Sequence, residues 1–117
     1  VLKEWFRVLK FGGILRIAVP DFHQISKLYI NEEYPLSRFL GPLYGKMPMS
    51  NETIYHKTVY DFDSLSTLLK SVGFNSIKKY NWRDTDHSHI DDCSQAYLPH
   101  MDKDKGTLIS LNVESTK

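Results

Sequence analysis

The most constraining feature of this sequence is its first twenty residues, where a helical pattern is cut by two glycines and followed by an almost continuous apolar run. Leu2, Trp5, Phe6 and Leu9 fall at i, i+3, i+4 and i+7, one face of an amphipathic helix, with Lys3, Glu4, Arg7 and Lys10 on the others. Gly12 and Gly13 stop that helix, because a glycine past a helix end takes the left-handed conformation without a Cβ clash. The basic Lys10 suits the negative end of the helix dipole. Ile14 to Val19 is then interrupted only by Arg16 and closed by Pro20. Such a run predicts a strand covered on both faces, the habit of a parallel sheet in an α/β protein.

Beyond Pro20 the pattern turns helical again. Asp21 is placed to cap a helix, with Gln24 at capping-box spacing and Phe22, Ile25, Leu28 and Tyr29 as its apolar face. From residue 31 to 60 Pro35, Gly41, Pro42, Gly45 and Pro48 punctuate a stretch kept sticky by Tyr34, Phe39, Leu40 and Tyr44, which predicts short helical turns in a lid-like excursion. Asp61 is a second N-cap, after which Leu65, Leu68, Leu69 and Val72 repeat the helical spacing until Gly73. Phe74 to Tyr80 reads as a strand, and Trp82 leads into a polar stretch, rich in Asp and His, that runs to Lys105. Thr107 to Val113 reads as the last strand. The sum is the second half of an open α/β sheet, three strands with flanking helices, in one partial domain over residues 1–117.

Charge narrows the partners. Fifteen basic side chains against fourteen acidic ones leave a formal net charge of +1, without the basic footprint that nucleic acid or an anionic membrane would select. No apolar run approaches the roughly 20 residues that cross a bilayer. Cys93 stands alone, so no internal disulfide forms, which fits the reducing cytoplasm. A chain that begins at Val1 with a helix already under way reads as cut from a longer protein.

Two stretches resemble a known family. Leu2 to Pro20, and within it Arg7-Val8-Leu9-Lys10-Phe11-Gly12-Gly13, resembles the "RVLKPGG" signature ahead of the fifth strand of class I S-adenosylmethionine-dependent methyltransferases. Tyr60-Asp61-Phe62-Asp63-Ser64-Leu65 through Leu68-Leu69-Lys70-Ser71-Val72-Gly73-Phe74 is similar to the family's helix before strand six, and the closing pair of strands to its final hairpin. Phe11 departs from the family's proline. The resemblance implies the C-terminal part of a Rossmann-like methyltransferase sheet. It also implies S-adenosylmethionine as the cofactor of a longer parent and a small-molecule or sugar-like acceptor. No two glycines here stand one residue apart, so the cofactor's G-x-G loop and the ribose-binding carboxylate are expected upstream of Val1. The chain alone is expected to be inactive and to bind no cofactor. A bared edge on the Ile14–Val19 strand predicts a homo-oligomer.

Methyl transfer is an in-line displacement, so positioning matters most, and a base is needed only for a hydroxyl or a protonated amine. The resemblance implies an acceptor over the C-terminal ends of the strands. That puts Asp21 and Phe22 among the substrate contacts, with His100 a further candidate, and makes His56 and Tyr60 the candidate catalytic residues, since each can share a proton. Each also has a plain use: Asp21 as a cap, Tyr60 as a staple, His56 as an ordinary histidine. The loop 84–93 carries His87, His89 and Asp91 in the H-x-H-x-D spacing of di-zinc hydrolases, but Asp92 stands where that pattern continues with histidine. The expectation is no metal there and a solvated polar loop. A metal-dependent hydrolase centred on those three residues is one alternative, and a non-catalytic interaction or assembly module another.

Overall fold

A computed structural model describes residues 1–45 and 47–117, so Lys46, within the excursion, lies outside the described residues. The chain is mixed α/β. It runs α1 (Leu2–Val8), β1 (Ile14–Pro20), α2 (Phe22–Asn31), α3 (Ser37–Tyr44), the hairpin β2 (Met47–Met49) and β3 (Glu52–Ile54), then α4 (Phe62–Val72) and β4 (Asn75–Lys79). Single 3-10 turns at Trp82–Asp84 and Cys93–Gln95 precede β5 (Tyr97–Leu98), β6 (Thr107–Leu108) and β7 (Ser110–Thr116).

The main sheet has the order β1-β7-β4, and β7 is antiparallel to both neighbours. Strands β1 and β4 therefore run parallel to each other, joined through the helices between them, with the last strand inserted in reverse. β7 alternates, as a strand with two differently covered faces must. Leu111 and Val113, at 1% and 0% exposure, point into an apolar core with Leu65, Leu69 and Phe74, closed by Leu2, Phe6 and Leu9 from α1. Ser110, Asn112 and Glu114 face the other way. A second core joins Ile25 and Leu28 of α2 to Phe39 of α3, Leu98 and Ile109.

Local chemistry explains the helix ends. The Asp61 carboxylate accepts from the Ser64 amide at 2.8 Å while Ser64 Oγ accepts from the Asp61 amide at 3.1 Å, a reciprocal capping box for α4. Gly73 ends α4 at φ 122°, and a Cβ there would meet the Phe6 ring, which stacks edge-on against Phe74 at 5.0 Å. Asp21 caps α2 through the His23 amide at 3.1 Å. Its own amide donates to the Ile109 carbonyl, so the expected capping box with Gln24 is not formed. At the carbonyl end of α1 the cation is Lys117, whose ammonium donates to Leu9 O at 2.8 Å, in place of the expected Lys10.

Two other expectations change. β1 pairs antiparallel with β7 along its whole length, has no strand on its other edge among the described residues, and contains no fully buried residue. Leu15, Ile17 and Val19 pack on the apolar core, whereas Arg16 points to the opposite face and pairs with Glu114 at 3.1 Å. The last strand is divided at Ile109, whose amide donates to Ala96 O and whose carbonyl accepts from Asp21. The backbone there changes partners, from β5 for β6 to β1 for β7. The polar stretch 81–106 is a built structure: Trp82, Thr85, Ser94, Gln95, Tyr97 and Leu98 are all buried. Among the described residues no helix is long and apolar enough to cross a membrane.

Candidate functional site

Three backbone segments converge where β1 ends. The Asp21 amide donates to Ile109 O at 2.8 Å and the Phe22 amide to Tyr60 O at 3.1 Å, and Asp21 and Tyr60 form a parallel bridge. Asp21 is only 5% exposed, Tyr60 is half-buried against the apolar core, and Phe22 is 45% exposed. The structure thus brings Asp21, Phe22 and Tyr60 together. His56 belongs elsewhere in the bonding pattern: its amide donates to Tyr44 O at 2.6 Å, its Nδ1 lies 3.1 Å from Leu43 O, and its ring occupies the space a Cβ on Gly45 would need. Its contacts close the C-terminus of α3. His100 is exposed on the turn between β5 and β6.

A cleft of about 280 Å³ opens beside the Asp21 bridge, beyond the carboxyl ends of the parallel strands β1 and β4. Asp21 and Gln24 form one wall, Lys79 and Tyr80 the other, and Ser110 and Asn112 from the start of β7 lie between them. Ser110 Oγ donates to Asn112 Oδ1 at 2.7 Å, and Asn112 Nδ2 donates to Ser94 O at 2.8 Å, so this part is tied to the 81–106 segment. Burial pushes the Tyr80 phenol up from its usual range, and the nearby Asp92 carboxylate adds to the effect, so Tyr80 stays neutral at ordinary pH. The Ser94 hydroxyl holds the Asp92 carboxyl below the usual carboxylate range, against a smaller opposing effect of burial.

The 84–93 loop does not gather its three candidate ligands. His87 Nδ1 lies 3.3 Å from Thr85 Oγ1 and 3.8 Å from Asp92, Asp91 pairs with Lys103 at 3.5 Å, and His89 is exposed. Among the described residues no group of three His, Cys, Asp or Glu side chains is arranged to hold a metal ion. The loop is largely exposed, as a solvated polar loop should be, and beside it stands a cation–aromatic stack: the Arg83 guanidinium sits 4.4 Å and the Lys103 ammonium 5.2 Å from the Trp82 ring centre, and Trp82 and Arg83 both donate to the Tyr97 hydroxyl. Sequence reasoning missed Gln24, Lys79, Ser110 and Asn112 as cleft residues. Strict alternation along Ser110-Leu111-Asn112-Val113 was the available signal for the last two.

Comparison of the chain with protein-family models, with curated proteins and with solved structures gives no match in any of the three.

Proposed function

We propose that this chain is the acceptor-side, C-terminal part of a Rossmann-like, S-adenosylmethionine-dependent methyltransferase domain. The observation that carries the reading is the cleft beyond the carboxyl ends of β1 and β4, where open α/β sheets take their ligands. The resemblance of residues 2–20 and 60–74 to the class I signatures supports it, as does a β1 strand with later strands on one side and a free edge on the other. The chain supplies a polar cleft and the Asp21–Tyr60 bridge, which suits holding a small acceptor in line with a methyl donor. The glycine loop for the donor would have to come from sequence outside residues 1–117. In such a longer protein, Tyr60→Phe lowers turnover more than cofactor affinity, read from initial rates and from titration with S-adenosylhomocysteine. Equal loss of cofactor binding would show Tyr60 to be wrongly assigned to the acceptor side.

A second reading, an assembly module, is favoured by the edge of β1 that no strand covers among the described residues, beside exposed Val8, Phe11 and Ile14, Phe11 being 91% exposed. An edge of unpaired N–H and C=O groups is a template for another chain. Light scattering at several concentrations is expected to find a dimer or larger. A dimer that persists in a chain extended upstream supports assembly, and one that dissolves on extension supports the methyltransferase reading.

A further inference from the structure

We propose that the cleft is a binding site for an aliphatic ammonium group, held by the Asp21 carboxylate. The inference rests on the reading of the cleft as an acceptor site, but it concerns only residues of this chain.

The wall charges give the reason. Asp21 and Lys79 are the two ionisable side chains with a full charge that line the cleft. The Lys79 ammonium is drawn onto the Phe62 ring, 5.5 Å from its centre, and Phe62 lines a different depression between α4 and β4. That leaves the Asp21 carboxylate as the formal charge facing the cleft. Asp21 is 95% buried by the surrounding chain, Oδ1 accepts from the His23 amide, and no described residue donates to Oδ2. Oδ2 is not one of the sealed, unpartnered polar atoms, so a donor entering the cleft can reach it and form a charge-assisted bond. Ser110 Oγ gives its proton to Asn112 Oδ1 and so presents lone pairs to the same kind of ligand, whereas Asn112 Nδ2 keeps one N–H beyond its bond to the Ser94 carbonyl. Arg16, near Tyr80, pairs with Glu114, which also pairs with Lys78. A space of about 280 Å³ accommodates a small aliphatic amine. In a methyl-transfer setting the ammonium anchors the acceptor and the methyl group goes to another atom of it.

The test uses this chain, with 1,4-diaminobutane and butane-1,4-diol as probes of matched length, followed by amide chemical shifts at constant ionic strength. The diamine is expected to shift the amides of Asp21, Gln24 and Ser110 saturably, and the diol to leave them in place. Asp21→Asn keeps a side chain that caps α2 but removes the charge, and is expected to weaken diamine binding at least tenfold, as loss of a charge-assisted bond does. Asp21→Ser, a second capping residue without charge, gives the same result if the asparagine variant fails to fold. Equal shifts with the diol, shifts scattered over the surface carboxylates, or unchanged affinity in both variants overturn the proposal. Failure here leaves cofactor binding by the extended chain untouched, and failure of that binding leaves the diamine result standing, so the two ideas fall separately.

Discussion

The two faces of β7 are built on different principles. Leu111 and Val113 meet α1 and α4 through shape and apolar burial, with Leu69 fully enclosed at 0% exposure. Ser110 and Asn112, one residue out of step, meet the 81–106 segment through hydrogen bonds to each other and to Ser94. Burial is non-directional and tolerates small shifts, whereas the polar face works only if each donor finds its acceptor. The first face gives the sheet its stability, and the second positions the cleft. The difference can be broken from either side.

The largest effect is expected on the apolar face. Leu69→Ala should cost about 2–5 kcal/mol, the range for truncating a fully enclosed leucine, and urea denaturation should show one transition moved as a whole. A loss below about 1 kcal/mol would mean that this core is not closed as described.

On the polar face Asn112→Ala should cost about 1–3 kcal/mol, because it leaves the Ser110 hydroxyl and the Ser94 carbonyl without partners. Hydrogen exchange should separate the two regions. The amides of Gln95 and Ile109, bonded within the polar region, should lose protection in Asn112→Ala while those of α4 keep theirs. Uniform loss across both regions would erase the distinction.

A smaller effect is expected in acid. The Asp61 and Asp92 carboxyls are held below their ordinary values, Asp61 chiefly by the Ser64 amide and Asp92 chiefly by the Ser94 hydroxyl. A carboxyl depressed on folding adds stability above its unfolded value, about pH 4, and loses it as pH falls through the folded value. Stability should therefore be flat with respect to these groups above about pH 5 and fall below about pH 4. Asp61→Asn with Asp92→Asn should flatten that acid limb, measured by urea midpoints across the pH range.

The same contrast decides how much was legible in the sequence. α1, α2 and α4 stand where 3.6-residue periodicity and the caps Asp21 and Asp61 put them, because apolar spacing is written locally. α3 carries Pro42 in its interior, which sequence signals read as punctuation; Phe39, 1% exposed between Tyr29 and Tyr34, holds the helix in spite of it. The buried part of the 81–106 segment was not legible, because its stability comes from pairs far apart in the chain, such as Asn112 with Ser94 and Arg83 with the Lys103 carbonyl. No local period announces such bonds. For the site, Asp21 was legible as a cap and its place beside a cleft was not, since the opposite wall, Lys79 and Tyr80, lies nearly sixty residues further on.

On the proposed function, residues 1–117 form the acceptor side of a methyltransferase sheet and other sequence supplies the donor side. The deciding measurement is isothermal titration of S-adenosylmethionine into residues 1–117 and into a longer natural chain that contains them. No measurable heat of binding is expected for residues 1–117, and a saturable, stoichiometric isotherm for the longer protein. Micromolar binding by residues 1–117 alone, or none by either, would contradict the proposed function.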